Sequence, residues 1–153
     1  MIRTISKNLF LSAVAVTLAT AGGTSTLFFQ CQIAEAQQIS GDITAPAEGQ
    51  PFGGETMGTV SIDSTGRRTN ISADLNAAPG EGNVFEGWLV DAGGSGYKLS
   101  LGQFRNGTLD FSQYMVNPYT YKNFEVTEEP AEDSDPNAAD SVAGFELKDP
   151  FGQ

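Results

Sequence analysis

The densest group of side chains that could do chemistry lies near the end of the chain, at residues 128–140. This stretch, EEPAEDSDPNAAD, carries six carboxylates in thirteen residues. Asp133, Asp135 and Asn137 place oxygen ligands at alternate positions, as the start of a calcium loop does, and Asp140 follows close behind. Calcium prefers hard oxygen ligands, so these four residues are the candidate metal ligands of the chain.

The same stretch departs from the EF-hand pattern at two positions. Ala138 stands where an EF-hand loop turns on glycine, and Gly144 stands where the loop needs a bidentate glutamate. A run of like charges is also typical of a flexible, hydrated loop. Two interpretations therefore stay open: a calcium site of non-EF geometry, or a solvated acidic loop in a protein without a cofactor.

Two Asn-X-Ser/Thr motifs are candidate N-glycosylation sites. Asn70 lies in Asn-Ile-Ser, on the outward face of a predicted strand, and Asn106 lies in Asn-Gly-Thr, at a predicted hairpin tip. Both positions are expected to be sterically open, but such motifs also arise by chance.

The composition excludes most familiar catalytic chemistry. The chain has no histidine, and Cys31 is its single cysteine. From Gln37 onward it carries 6 Lys/Arg and 18 Asp/Glu, a formal charge of 6 − 18 = −12. Ser-His-Asp, Cys-His and thiolate or imidazole metal sites are thereby ruled out beyond Gln37, and binding to nucleic acid or an anionic membrane surface is disfavoured. A domain of this size also offers little room for a carboxylate-lined cleft, so we expect no enzymatic activity.

The first residues have the pattern of an export signal. Arg3 and Lys7 precede an uncharged segment at residues 9–29, and a small-x-small site ends at Ala36, which predicts cleavage before Gln37. The alternative is a retained signal-anchor, because residues 9–29 are long enough to cross a bilayer core. Both alternatives predict a secreted or cell-envelope protein that touches the membrane only through an uncleaved N-terminal segment.

The rest of the chain has the pattern of an all-β domain. Residues 1–36 are predicted to be the signal helix, residues 37–55 a linker or extended arm, and residues 56–150 the folded domain. In the domain, short apolar alternations are separated by turn signals about every ten residues, which predicts an Ig-like antiparallel β-sandwich of about seven strands.

Three local patterns carry this fold prediction. Residues 69–75 alternate, so that Thr69, Ile71, Ala73 and Leu75 share one face. Residues 84–90 are almost continuously apolar, which is typical of a central strand, and Trp88 is expected to anchor the core. Asn-Gly at 106–107 predicts a tight hairpin that brings residues 108–115 alongside residues 97–104.

These strands resemble a known family. The segments FEGWLV at 85–90, LGQF at 101–104 and FEVTEEP at 124–130 follow one another as in the C-terminal extracytoplasmic domain of RskA-type anti-sigma factors. The resemblance covers residues 56–147. It implies a small β-sandwich outside the membrane, joined in that family through one transmembrane helix to a cytoplasmic sigma-binding segment. Only residues 1–8 precede the hydrophobic segment here, so the resemblance is expected to extend to fold and location without the sigma-binding part.

The expected function follows from these observations. We expect an exported, non-catalytic interaction module at the cell envelope, similar to the extracytoplasmic domain of anti-sigma factors. Its partner would be another protein or further copies of itself. The alternatives are a subunit of an extracellular assembly, in which residues 37–55 add a strand to a neighbour's sheet, and a calcium-stabilised adhesion protein.

Overall fold

The computed structural model describes residues 37–132, 135 and 137–152, and this part of the chain is built from strands. A short 3₁₀ turn, Pro118–Thr120, is the one helical element within it. Eight strands follow one another along the described chain: β1 Gln37–Thr44, β2 Thr56–Thr65, β3 Arg68–Leu75, β4 Asn83–Asp91, β5 Lys98–Gln103, β6 Thr108–Tyr114, β7 Tyr121–Pro130 and β8 Ser141–Glu146.

The strands form one antiparallel sheet in the order β5-β4-β7-β8-β1-β2-β3-β6. Six of the seven neighbouring strand pairs extend over several residues, but β1 and β8 meet at a single pair, Thr44 and Gly144. The sheet therefore has two halves of four strands, β5-β4-β7-β8 and β1-β2-β3-β6, joined at one position. The predicted all-β antiparallel class is confirmed.

Two finer fold predictions need correction. The structure has eight strands instead of seven, because residues 37–44, predicted as part of an arm, form β1 and pair with β2 along their whole length. The sequence QQISGDIT is polar and contains a glycine, so its composition does not indicate a strand. Pairing with β2 stabilises it. The strands also belong to one continuous sheet instead of the two separate sheets of an Ig-like sandwich. The predicted signal helix lies outside the described residues.

The predicted hairpin is right at its turn and wrong in its pairing. Asn106 and Gly107 have φ angles of 53° and 81°, as a turn with positive φ at both central positions requires. Beyond the turn, however, β5 pairs with β4 and β6 pairs with β3, so the two strands lie at opposite ends of the sheet order. A local turn preference does not decide which neighbour a strand finds.

The two halves of the sheet enclose one hydrophobic core. Its fully buried members come from both halves, among them Ile43, Ile62 and Ile71 on one side and Leu89 and Phe124 on the other. The predicted inward face of residues 69–75 is confirmed by this burial pattern.

Three glycines allow close contacts across the core and at the junction of the two halves. A Cβ on Gly87 of β4 would lie 2.8 Å from Cδ1 of Leu109 in β6, so these strands approach each other across the core. At the junction of β1 and β8, the Phe145 ring packs where a Cβ on Gly41 would be, and the Phe52 ring does the same at Gly144. The ring contacts close the region where β1 and β8 are not hydrogen-bonded.

Candidate interaction surface

The outer face of the half β5-β4-β7-β8 buries a tryptophan against polar side chains. Trp88 is 5% exposed, but it packs outside the central core cluster and on the opposite face of β4 from Leu89. Its Nε1–H donates to Oγ1 of Thr127 at 2.9 Å, and the Thr127 hydroxyl donates to Oε1 of Glu129 at 2.6 Å. The expected core anchor is thus the anchor of an outer layer.

Glu129 connects this layer to the acidic segment. Its side chain is 4% exposed, and its Oε1 also accepts the backbone N–H of Ala139 at 2.9 Å. A buried carboxylate is stable only when hydrogen bonds replace its water shell. The two donors supply them here, and they hold residues near 139 over β7. We call the half β5-β4-β7-β8 the covered half.

Three further carboxylates of the covered half also have structural partners. Lys98 Nζ lies 2.8 Å from Oε2 of Glu125, and the Ser100 hydroxyl donates to Glu86. Asp91 accepts the Gly93 N–H at 3.2 Å and stabilises the turn between β4 and β5. Each carboxylate is therefore engaged in a contact that supports the sheet.

The outer face of the other half is open to solvent. Short polar side chains cover it, and hydrogen bonds link them across the strands: Ser72 Oγ to Asp110 Oδ1 at 2.9 Å, and Ser112 Oγ to Asn70 Oδ1 at 2.7 Å. They border a shallow depression of about 320 Å³. We call the half β1-β2-β3-β6 the open half. The polar residues around the depression are Ser61, Asp63, Asn70, Ser72, Asp110 and Ser112.

One end of the open half carries a cation on an aromatic ring. The Arg68 guanidinium lies 4.3 Å from the centre of the Tyr114 ring, and Arg68 also donates to Ser112 Oγ at 2.7 Å. A hydrogen bond from Arg68, and its positive charge, lower the pKa of the Tyr114 phenol. Tyr114 is 70% exposed and Val116 is 97% exposed, so apolar surface and positive charge coincide in an otherwise acidic protein.

The comparisons with known proteins identify the family. A family model described as the C-terminal part of anti-sigma-K factor rskA matches residues 9–142. The chain belongs to this family. No match was found among curated proteins or among solved structures.

In this anti-sigma-K factor C-terminal domain, three of the four calcium candidates, Asp135, Asn137 and Asp140, lie among the described residues. Asp135 Oδ1 accepts both the backbone N–H and the side-chain amide of Asn137, at 3.0 and 2.6 Å. Asp140 is exposed, and Asp133 lies outside the described residues. Within the described ranges, no three His, Cys, Asp or Glu side chains come together in a way that would hold a metal ion.

The two candidate glycosylation sites of the rskA-type domain differ in their surroundings. Asn106 is exposed at its hairpin turn, and no side-chain hydrogen bond of Asn106 occurs in the part that the structure describes. Asn70 is exposed on the open half, but its Oδ1 accepts the Ser112 hydroxyl at 2.7 Å. A sugar would attach to Nδ2 of Asn70 and leave this acceptor oxygen in place, so the two sites differ in how firmly the side chain is held.

The N-terminal predictions lie largely outside the described residues. Ala36 and the preceding segment are not described, and Gln37 is the first residue of β1. For residues 37 onward, as far as the structure describes them, no helix is long and apolar enough to cross a membrane.

Sequence reasoning did not predict that β6 lies at the edge of the sheet. Gln113 is the residue that could have indicated this position. It lies in the inward row with Leu109 and Phe111, yet its side chain is exposed. A polar residue at the end of an inward-facing row is typical of an edge strand, whose outer side no neighbour covers.

Proposed function

We propose that this domain is an exported, non-catalytic protein-interaction module of the anti-sigma-K factor type, located at the cell envelope. Membership of the family, over residues 9–142, is the observation that carries the proposal. The geometry supports it through the open half, which offers a polar outer face and an edge strand without using either for its own packing.

The absence of catalysis is part of the same proposal. It is supported by the roles of the carboxylates, since Glu86, Glu125 and Glu129 each have a hydrogen-bonding partner within the sheet. The polar groups around the shallow depression on the open half are serine hydroxyls, the Asn70 amide and the carboxylates of Asp63 and Asp110. We propose that the module works without a cofactor.

The export part of the proposal has a direct test. A C-terminal epitope tag on the full chain should be accessible to protease added outside intact cells, and the mature protein should begin at Gln37. A tag that is protected until the cells are lysed would contradict an extracytoplasmic location.

The interaction part is tested by site-specific photo-crosslinking. A benzoylphenylalanine at Ser61, on the open half, should capture a protein in intact cells. The same probe at Ser100, which is exposed on the covered half, is the matched control. Equal capture from both positions, or none from Ser61, would contradict the proposal that the open half recognises the partner.

A subunit of an extracellular assembly remains the second candidate function. The specific observation in its favour is the unpaired outer side of β6 at the end of the sheet order. An edge strand of this kind can accept a strand from another chain.

A further inference from the structure

The backbone of β6 has one side bonded and one side open. Leu75 N–H donates to Gly107 O at 2.7 Å, and Met115 N–H donates to Arg67 O at 2.7 Å. The register between these two bonds is unbroken. In an antiparallel ladder, hydrogen-bonded positions alternate, so the odd-numbered residues of β6 bond to β3. The even-numbered residues direct their N–H and C=O groups away from it.

Of the even-numbered residues, Thr108 alone has a backbone partner on this open side. Its N–H and C=O exchange hydrogen bonds with Arg105 across the turn, at 3.1 and 2.7 Å. Asp110, Ser112 and Tyr114 have exposed side chains, and no backbone partner on this side is seen in the described ranges. Three consecutive ladder positions are thus ready to accept another strand.

Nothing in the strand itself discourages pairing. Its sequence, TLDFSQY, contains no proline and no lysine, carries one charge at Asp110, and shows no bulge against β3. These are the devices by which edge strands usually avoid other chains.

We propose that β6 pairs antiparallel with β6 of a second copy of this chain, about a two-fold axis at Ser112. This inference rests on the proposed interaction function and names one partner and one surface for it. The resulting dimer would continue the open half of one copy into the open half of the other.

The register follows from the three open positions. With the axis at Ser112, each Ser112 pairs with its counterpart and each Asp110 pairs with Tyr114 of the second copy, so every open N–H and C=O is used. An axis at Asp110 would place two like charges opposite each other. An axis at Phe111 would pair Tyr114 with Thr108, whose backbone groups are already occupied by Arg105.

Charge complementarity supports the same register. Paired residues share a face of the sheet, so Asp110 of the second copy lies beside Tyr114 on the outer face. Arg68 already lies over that ring, at 4.3 Å. The register therefore brings the Asp110 carboxylate of one copy towards the Arg68 guanidinium of the other, twice by symmetry. It also covers Phe111, which is half-buried, with Gln113 of the second copy.

The first test uses a disulfide at the axis. In the full chain with Cys31→Ser, Ser112→Cys should form a covalent dimer under mild oxidation, because the Cα atoms of a hydrogen-bonded antiparallel pair lie about 5.5 Å apart. The control is Ser72→Cys, on the same face but in β3, so that β6 separates it from the axis. Equal crosslinking of both variants would overturn the register.

The second test removes the central N–H. Ser112→Pro keeps every backbone hydrogen bond to β3, because the N–H of residue 112 points away from that strand, and it removes two hydrogen bonds from the dimer. It also removes the Ser112 hydroxyl, which bonds to Arg68 and Asn70 of β3, and Ser112→Ala controls for that loss. Sedimentation of the full chain, as recovered from cells, should show a dimer whose Kd rises about thirtyfold in this variant. Ser112→Ala keeps the N–H and should dimerise like the wild type. An unchanged Kd in Ser112→Pro would overturn the proposal.

A charge exchange keeps the proposal testable if Ser112→Pro fails to fold. Arg68→Glu should weaken the dimer, and adding Asp110→Arg should restore it. Failure of the double variant to recover would count against the register.

The outcome separates this inference from the proposed function. A wild-type chain that remains monomeric at high concentration overturns the dimer. If that monomer still crosslinks a different protein through Ser61, the interaction function stands and the open half has another partner.

Discussion

The outer faces of the two sheet halves are built for different purposes. The covered half buries Trp88 and Glu129 beneath the chain near Ala139, with a continuous series of hydrogen bonds among them. The open half leaves Asn70, Ser72 and Asp110 exposed, linked only by hydrogen bonds between neighbouring strands. The outer face of the covered half is a second, smaller buried layer, and the outer face of the open half is exposed to solvent.

The difference means that the outer face of the covered half contributes to folding stability, whereas the outer face of the open half is available to bind a partner. A side chain buried in the covered half contributes free energy that is lost when it is shortened, because its removal leaves a cavity or an unpaired polar group. A side chain exposed on the open half contributes little to folding. The open half can therefore vary to suit a partner without unfolding the domain, and the predictions below measure this asymmetry from its largest effect to its smallest.

The largest effect is expected from Trp88→Ala. Truncating a buried tryptophan typically costs about 3–5 kcal/mol in the free energy of unfolding, and here the Thr127 hydroxyl also loses its indole donor. The matched control is Tyr114→Ala, which removes an aromatic ring that is 70% exposed on the open half. Urea unfolding followed by circular dichroism measures both. Equal losses in the two variants would mean that the halves do not differ in this way.

The junction between the halves should be nearly as sensitive. Gly144→Ala would place a methyl group against the Phe52 ring and the Phe124 carbonyl oxygen. Overpacking of this kind costs about 1–3 kcal/mol. Gly49 has a φ of 71°, a conformation that alanine rarely adopts, so Gly49→Ala cannot serve as the control. Ala78→Gly, in an exposed loop, serves as the reference instead. A melting temperature for Gly144→Ala equal to that of the wild type would show that the ring moves aside without cost.

The buried carboxylate should have an intermediate effect. Glu129→Gln removes the charge that attracts the Thr127 hydroxyl and the Ala139 N–H, and hydrogen bonds to a charged group contribute about 1.5–3 kcal/mol. The single tryptophan of the chain is Trp88, so its fluorescence reports loosening of the covered half directly. Asp110→Asn is the control, since it alters an exposed carboxylate on the open half. A fluorescence spectrum unchanged by Glu129→Gln would argue against the buried network.

Local patterns predicted the strands, and long-range pairing is what they could not predict. Alternation at residues 69–75 and the Asn-Gly turn at 106–107 depend on near neighbours, and both are confirmed. The pairing of β6 with β3 depends on residues nearly forty positions apart, such as Ser72 and Asp110. No local preference encodes such a choice, so the partner of β6 could not be predicted from sequence.

The same limit explains the outer layer of the covered half. The sequence predicted that Trp88 would be buried, because tryptophan in an apolar strand rarely is exposed. It could not predict on which face of β4 the ring lies, since residues 84–90 are apolar on both faces. The face is decided by Thr127 and Glu129, which arrive from β7.

The smallest effect is expected at Glu128, near the end of β7 in the covered half, where the contribution to stability depends on pH. Hydrogen bonds from the Asn83 side chain and from the Gly80 N–H hold the pKa of Glu128 below its ordinary value. A carboxyl group whose pKa is lowered by folding stabilises the protein above its unfolded pKa of about 4.3, and this contribution disappears as the pH falls through the lower, folded value. Glu128→Gln should therefore lower the melting temperature slightly at about pH 7, and this difference from the wild type should shrink as the pH falls below about 4. Asp74→Asn, at an exposed position of the open half, is the matched control for the removal of one negative charge. A difference between Glu128→Gln and wild type that stays constant across this range would mean that the loop at residues 76–83 is held by packing and not by the charge of Glu128.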